Sequence, residues 1–260
     1  MVKKIAKIFF WISILSCWIV MSGFVSNFYQ EIKLKNVQIN FIEDNLHEFI
    51  TKSDVNSMLS LMGIVEKVSL KHEIDLSHIE AKLLNHSAIN NAEVYFINNG
   101  NLQVNIKKRT PIARFISPVY EKNFYIDDNG FLMPLCSTYV SRVPIFSGNI
   151  HIPERLNLYI LDSLHKSPDF QKIYKMSKLI NNDSFLKSQI VQIHINNNGY
   201  FEFIPRIGNQ RILFGSTENM EKKFKKIKLF YKNGPQPKDL NKYDTLNVLY
   251  ENQIICSKRN

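Results

Sequence analysis

Cysteine, histidine and aspartate are the side chains in this sequence that could carry chemistry, and their spacing decides which chemistry. Cys136 could act as a thiolate nucleophile if a histidine lay beside it in the fold, but its neighbours carry no recognisable protease signature. The seven histidines are scattered, and none has a cysteine or carboxylate at ligand spacing. The sequence therefore predicts no catalytic residue and no metal site, although a site assembled from distant segments would escape a linear search.

Asp127 and Asp128 are the pair that most resembles a cation site. A calcium-binding EF-hand loop needs further oxygen ligands at fixed spacing and a closing glutamate, and both are absent here. Phosphate-binding glycine loops, a nucleophile elbow and a HExxH helix are absent as well. We therefore expect no cofactor, and we expect that the chain is not an enzyme.

The charge of the chain is strongly positive, with a formal net charge of +10. Lysines and arginines are spread along the whole sequence without an arginine-rich block, which argues against nucleic-acid binding. The densest cluster, Lys222 to Lys228, falls on a predicted helix. These lysines could bind phosphate or lipid, but the pattern favours a solvated helix face.

The N-terminus predicts a membrane anchor. Three lysines precede Ile8–Val25, an 18-residue run without charge that would rise about 27 Å as a helix. The positive-inside rule then leaves the N-terminus in the cytoplasm and the rest of the chain outside it. The rival interpretation, a cleaved signal peptide, needs a small-x-small site that Ser22–Ser26 lacks. We expect Ile8, Trp11, Trp18 and Val25 to lie in this anchor.

Residues 29–108 predict a small domain with the order strand, helix, helix, strand, strand. Alternation favours a strand over Ile32–Phe41. Thr51 should cap the first helix, which Gly63 ends, and Asp75 or Ser77 should cap the second. A hairpin follows, with alternating apolar residues on both sides of Asn99-Gly100.

Residues 109–260 predict a second, β-rich domain that begins where Pro111 interrupts the preceding strand. Its predicted elements are strands around Asn129-Gly130, irregular helix over residues 153–187, three strands between Val191 and Phe214, a helix over residues 215–231, and strands Thr245–Tyr250 and Gln253–Ser257. Cys136 and Cys256 both fall in this domain. They could form a disulfide if the domain is exported or remain two buried thiols, and the sequence leaves both open.

Several motifs in this order resemble the FtsQ/DivIB family. The first is Ile89-Asn-Asn-Ala92-Glu-Val94 with Val104-Asn-Ile106-Lys-Lys-Arg109-Thr-Pro111-Ile-Ala113, which looks like the end of that family's POTRA domain. The others are Tyr125–Met133, Val143–Gly148, Ile212–Gly215, Lys223–Ile227 and Thr245–Tyr250. Leu249 stands where the family pattern has a basic residue, so the resemblance does not imply a charged partner contact there.

The resemblance implies an α+β fold in three parts: a cytoplasmic tip and transmembrane anchor (1–28), a POTRA-like domain (29–108) and an FtsQ-type β domain (109–260). It implies a single-pass inner-membrane scaffold at the division septum that recruits FtsB/FtsL-like single-pass proteins and other divisome membrane proteins. Two alternatives stay open: an exported POTRA-type docking protein of a secretion or envelope-assembly system, and a cell-wall hydrolase.

The end of the chain is the predicted docking site. A short terminal strand tends to lie at a sheet edge, where an extended partner segment can complete its backbone hydrogen bonds. In the FtsQ family this edge is the implied docking site for FtsB in complex with FtsL. The residues expected to bind the partner are Leu246, Val248, Tyr250, Asn252, Gln253, Ile254 and Ile255.

Overall fold

The computed structural model of the chain describes residues 9–21, 32–42, 48–97, 100–117, 122–137, 139–150 and 168–259. Residues 9–21 form a helix, α1, whose apolar side chains are exposed. Among the residues described, no helix combines the length and apolar character needed to cross a membrane. Trp11 and Trp18 lie on α1, whereas Ile8 and Val25 lie outside the described residues. The membrane anchor therefore stays a prediction.

The chain divides into two compact units, Met1–Lys108 and Arg109–Asn260, and each builds its own sheet. Both units combine helices with strands, which confirms the predicted α+β class. The first unit contains β1 (Asn36–Phe41), α2 (Lys52–Leu61), a 3-10 turn (Lys71–Glu73), α3 (Leu76–Leu84), β2 (Ile89–Ile97) and β3 (Asn101–Lys108). Its strand order is β1-β3-β2, with β1 parallel to β3 and β2 antiparallel to it.

The helices of the first unit begin where their capping residues predict. The Thr51 hydroxyl accepts from the Asp54 backbone N–H at 3.2 Å, and the Asp54 carboxylate accepts from the Thr51 N–H at 2.8 Å. This reciprocal capping box satisfies two donors that a helix start leaves unpaired. Asp75 caps α3 by accepting from the His78 N–H at 3.1 Å. Hydrogen bonds from Thr51 hold the pKa of Asp54 below its usual value.

The surroundings of His86, just after α3, predict that the stability of the first unit depends on pH. Its Nδ1 accepts from the Ala88 N–H at 3.2 Å, so the neutral ring fits this site. Burial lowers the pKa of His86 below its ordinary value of 6.5, although the Asp54 charge opposes the shift. A lowered folded-state pKa means that stability is fully present above about pH 6.5 and is lost as the pH falls through the folded value.

We expect His86→Asn to weaken this pH dependence, because the asparagine amide oxygen can accept from Ala88 without gaining charge. Thermal unfolding of both chains should be compared between pH 7.5 and about pH 5, where Asp54 stays ionised. The midpoint of the first unit should fall with pH more steeply in the unmodified chain. Parallel curves for the two chains would show that another group is responsible.

The second unit contains a nine-stranded mixed sheet with helices on one face. Its strand order is β12-β11-β10-β9-β8-β7-β4-β5-β6. The strands are β4 (Pro111–Ser117), β5 (Lys122–Asp127), β6 (Leu132–Pro134), β7 (Ile145–Gly148), β8 (Ile190–Ile195), β9 (Phe201–Pro205), β10 (Arg211–Gly215), β11 (Tyr243–Asn247) and β12 (Ile255–Lys258). The helices are α4 (Pro168–Asn181), α5 (Ser184–Gln189) and α6 (Met220–Asn233), with a 3-10 turn at Pro237–Lys242. Of the predicted helical stretch 153–187, residues 153–167 lie outside the described residues.

One row of large side chains crosses this sheet and forms its core. Strand register places these residues side by side on the helix-covered face: Phe115, Phe146, Ile193, Phe203, Ile212 and Leu246. Aromatic rings from the helices close over the row, with Phe170 beside Phe115 and Phe224 beside Phe214. Cys256 follows Leu246 in register, which puts the last strand at the end of the same core.

A buried ion pair explains two charged positions of the motifs. Arg109 Nη1 lies 2.8 Å from Asp127 Oδ2, and both side chains are buried. The other oxygen of Asp127 accepts from the backbone N–H groups of Asn129 and Phe131 at 3.0 and 2.6 Å. The Arg109 guanidinium also covers the Phe131 ring at 3.6 Å. Asp127 therefore ties the β5–β6 turn to the first residue of the second unit.

Candidate functional site

The last strand of the chain ends the strand order of the second unit. β12 pairs antiparallel with β11, and β11 pairs parallel with β10. Among the described residues, no further strand lies beyond β12. The hydroxyls of Thr245 and Ser257 meet across the β11–β12 pair, and the Arg259 N–H donates to the Lys242 carbonyl at 2.9 Å. The chain therefore presents a short strand at the edge of a large sheet.

Both terminal strands are shorter than predicted. β11 ends at Asn247 rather than at Tyr250, and β12 begins at Ile255 rather than at Gln253. Residues 248–254 form a connection, called here the C-terminal loop. The Val248 N–H still donates to Leu213 O of β10, at 3.2 Å. Beyond this bond, the Lys226 ammonium donates to two backbone carbonyls of the loop, those of Val248 and Tyr250.

Two of the predicted partner-binding residues have no exposed side chain. Leu246 and Val248 are fully buried and belong to the core of the second unit. Their side chains stabilise the fold and are not available to a partner, which corrects the prediction for these two positions. A fully buried leucine or valine contributes about 1.5–3 kcal/mol through burial alone.

The remaining predicted residues lie on the surface of the C-terminal loop and β12. Tyr250 is 49% exposed, and Asn252 and Gln253 are also exposed. Ile255 is exposed and pairs with Asn247 on the sheet face opposite the core row, whereas Ile254 packs partly against the core. An exposed aromatic ring, two exposed amides and an exposed isoleucine thus lie on the C-terminal loop and the edge strand that follows it.

The Leu249 side chain packs against Gly215, a contact that the sequence did not predict. Gly215 ends β10 with φ +74°, and a Cβ at that position would collide with the Leu249 side chain. The Asn247 side chain accepts from the Leu249 N–H at 3.0 Å. The glycine at the end of the Ile212–Gly215 motif therefore leaves room for the C-terminal loop, because the Leu249 side chain occupies the position that a Cβ would take.

Lys226 on α6 is the residue that holds the loop, and sequence analysis missed it. Its ammonium donates to Val248 O at 2.6 Å and to Tyr250 O. Lys223, one turn earlier, is buried over the Phe214 ring and donates to Ser216 O at 2.9 Å. The predicted solvated face thus applies to Lys222, Lys225 and Lys228, which are exposed. The available signal was that Lys223 and Lys226 are three residues apart and lie next to the apolar stripe of the helix, so they share one face.

A basic pocket of about 260 Å³ adjoins the loop. Burial lowers the pKa of Lys223, and the Lys226 charge lowers it further. Burial also lowers the pKa of Lys226, whereas the Glu251 charge raises it. The pocket therefore combines positive charge with apolar surface, and it is lined by Asn219, Lys222, Lys223, Lys226, Leu249 and Glu251.

We expect Lys226→Met to loosen the C-terminal loop while the sheet stays folded. The change removes charge-assisted hydrogen bonds to two carbonyls, which should cost about 1–2 kcal/mol for this partly exposed group. Amide exchange of residues 248–254 should accelerate more than exchange in β9 and β10. Lys225→Met, an exposed position on the same helix, is the matched control, and Lys226→Arg should restore part of the protection. Equal exchange in the Lys226 and Lys225 variants would contradict the role.

The described residues contain no group of three or more histidine, cysteine or acidic side chains placed to hold a metal ion. The larger groove beside α6, about 510 Å³, is lined by Leu179, Asp183, Leu186, Glu221, Phe224, Lys225, Lys228, Leu229 and Lys232, a set without a histidine, cysteine or serine. Cys136 and Cys256 form no disulfide, and burial raises the pKa of Cys256.

Comparison with known families assigns both units. The family described as FtsQ/DivIB, C-terminal related, matches residues 110–257, and a POTRA-like domain matches residues 33–107. No curated protein matches the chain. The two matched ranges coincide with the two sheets described above. The FtsQ/DivIB, C-terminal related range covers more than half of the chain. The chain therefore belongs to the FtsQ/DivIB, C-terminal related family and carries a POTRA-like domain ahead of its family domain.

Proposed function

We propose that this protein is a non-enzymatic scaffold of the division machinery that recruits and links membrane division proteins at the septum. Its partners are FtsB/FtsL-like single-pass proteins and other divisome membrane proteins. The POTRA-like unit provides docking at its sheet edges, and the C-terminal edge binds an extended partner segment. The family match supports the assignment to division, and the exposed surface of the C-terminal edge supports the docking role.

One observation carries the proposal: an exposed aromatic ring lies on the loop that leads into the edge strand of a large sheet. A partner strand added to β12 would gain backbone hydrogen bonds, and Tyr250 and Ile255 would supply side-chain contact. Tyrosine suits such a role because it combines a large apolar ring with a hydrogen-bonding hydroxyl. Lys226 fixes the C-terminal loop before binding, so little ordering entropy is lost.

The scaffold is anchored as a single-pass inner-membrane protein with its N-terminus in the cytoplasm. The charge-free run Ile8–Val25 and the lysines before it support this topology. The exposed apolar residues of α1, including Trp11 and Trp18, suit a lipid environment. Both units would then lie on the extracytoplasmic side, where septal proteins can reach the C-terminal edge.

Co-purification from detergent-solubilised membranes tests the function. The intact chain is compared with Tyr250→Glu, which places a charge on the proposed contact surface. Tyr200→Glu is the matched control, because Tyr200 is 50% exposed in the same unit but lies in the β8–β9 turn. Circular dichroism should show that both variants are folded.

We expect small single-pass coiled-coil proteins to accompany the intact chain and Tyr200→Glu and to be lost with Tyr250→Glu. Loss of a central contact residue commonly costs 2 kcal/mol or more, which is roughly a thirtyfold weaker complex. If the same partners remain bound to Tyr250→Glu, the edge site is wrong. If secretion or envelope-assembly proteins appear in place of the coiled-coil class, the division role is wrong.

A further inference from the structure

The most exposed apolar side chain among the described residues lies in the first unit, at the end of α2. Leu61, the last residue of α2, is 89% exposed, and Val68, on the loop between α2 and the 3-10 turn, is 67% exposed. Val65 between them is exposed too. Such side chains gain little from the fold, so three of them between Leu61 and Val68 indicate a surface that contacts something apolar.

The loop holds its shape through its own hydrogen bonds, although its apolar side chains point outward. Ser69 Oγ accepts from the Val65 N–H at 2.9 Å and donates to Gly63 O at 3.0 Å. The Ser69 N–H donates to Val65 O at 3.0 Å, and Lys67 adopts a left-handed φ of 63°. An ordered turn that displays valines and a leucine is a preformed apolar tip.

This loop is fastened to the part of the chain that follows α1. The Lys67 N–H donates to Leu34 O at 2.6 Å, and the Leu34 N–H donates to Ser69 O at 2.8 Å. The Lys71 N–H donates to Ile32 O at 2.8 Å. The chain between Met21 and Ile32 can reach at most about 40 Å when fully extended. A membrane that holds α1 therefore lies within reach of this loop.

Lysines lie on the tip and on the segment that is hydrogen-bonded to it. Lys33, Lys35 and Lys67 are exposed, and Lys71 lies beside them over the Phe96 ring. The acidic residues here are Glu66, which already accepts from the Val37 N–H at 2.7 Å, and Glu73. Apolar side chains with lysines nearby are the combination that binds an anionic lipid surface, since the apolar groups enter the interface and the lysines meet the headgroups.

We propose that residues 61–70, the last residue of α2 and the loop that follows it, contact the surface of an anionic membrane, with Leu61, Val65 and Val68 entering the boundary between headgroups and acyl chains. This inference rests on the membrane anchor of the proposed function. The contact orients the POTRA-like unit on the bilayer, with the loop end of its sheet toward the lipid. β1 runs away from that end. Ile42, just past the other end of β1, follows Leu34 by eight residues, which is about 26 Å along the strand direction.

Tryptophan fluorescence separates the anchor from the loop, because the only two tryptophans, Trp11 and Trp18, both lie on α1. The full chain is reconstituted into vesicles of phosphatidylcholine and phosphatidylglycerol with brominated acyl chains, which quench tryptophans that touch the hydrocarbon. A second chain carries Trp11→Phe, Trp18→Phe and Val68→Trp. The matched control replaces Val68→Trp with Ile42→Trp, at a position that is 54% exposed in the same unit.

We expect quenching of the native tryptophans, quenching and a shift to shorter wavelength for Val68→Trp, and neither effect for Ile42→Trp. In vesicles of phosphatidylcholine alone, quenching of Val68→Trp should fall, and equal quenching in both vesicle types would overturn the role of anionic headgroups. If the native tryptophans are quenched but Val68→Trp is not, the membrane contact is wrong and the anchor stands, leaving the loop to a protein partner. If the native tryptophans escape quenching, the anchor fails and the inference fails with it. Equal quenching of Val68→Trp and Ile42→Trp would also overturn it.

Discussion

Replacing Asp127 with alanine is expected to destabilise the second unit by about 3–5 kcal/mol, because it leaves the buried Arg109 guanidinium without its carboxylate. The change also removes the acceptor for the Asn129 and Phe131 N–H groups, so the β5–β6 turn loses its support. Urea unfolding of the full chain in detergent, followed by circular dichroism, measures the loss. Amide exchange in β4 and β5 assigns the transition to the second unit.

An exposed ion pair in the same unit is the control for Asp127. Glu202 and Arg211 lie 3.7 Å apart across β9 and β10, with the arginine largely in solvent. Glu202→Gln removes this charge pair while keeping an oxygen for the Asn196 amide. We expect it to cost less than about 1 kcal/mol, as is usual for ion pairs in water.

A double variant separates the effect of leaving a buried charge unpaired from the effect of losing the acceptor for the turn N–H groups. Arg109→Met combined with Asp127→Asn removes both buried charges and leaves an amide oxygen for the turn N–H groups. Because replacing a whole buried ion pair is far less costly than removing one partner, this chain should recover most of the stability that Asp127→Ala loses. Asp127→Ala losing no more stability than Glu202→Gln would show that the buried pair does not stabilise the unit.

Local sequence signals predicted most of the elements. Thr51 and Asp54 act within one turn, and the hydrogen-bonded capping box confirms the predicted helix start. The alternation of apolar residues over Val191–Phe214 likewise predicted three strands, because each side chain reports which face of the sheet it occupies. These predictions succeeded since the forces that decide them act between residues close in sequence.

The candidate site depends on contacts between distant segments, which no local pattern reports. Lys226 looks like any lysine of a basic helix, and only the fold brings its ammonium to Val248 and Tyr250. The alternation at Leu246 and Val248 correctly indicates one face, but it cannot tell a core face from a binding face. The pairing of Arg109 with Asp127 escapes the sequence for the same reason: both residues fall in family motifs, but no local pattern connects the two.

Gly215→Ala is expected to disturb the C-terminal loop more than its small size suggests. A non-glycine residue at φ +74° costs about 1–2 kcal/mol in backbone strain. The new methyl group would also occupy the position of the Leu249 side chain, so that side chain must move. Because Leu249 lies between the two carbonyls that Lys226 binds, its displacement should weaken those hydrogen bonds and the binding surface around Tyr250.

Gly199→Ala is the matched control, because Gly199 has φ +75° in the same unit but open space where its Cβ would lie. Both variants should lose similar stability through backbone strain in urea unfolding, but only Gly215→Ala should speed amide exchange in residues 248–254 and reduce partner co-purification. Adding Leu249→Ala to Gly215→Ala removes the collision and should return loop exchange toward that of Leu249→Ala alone. If Gly215→Ala and Gly199→Ala give the same amide exchange in the loop and the same partner binding, the packing of Leu249 against Gly215 has no part in forming the docking surface.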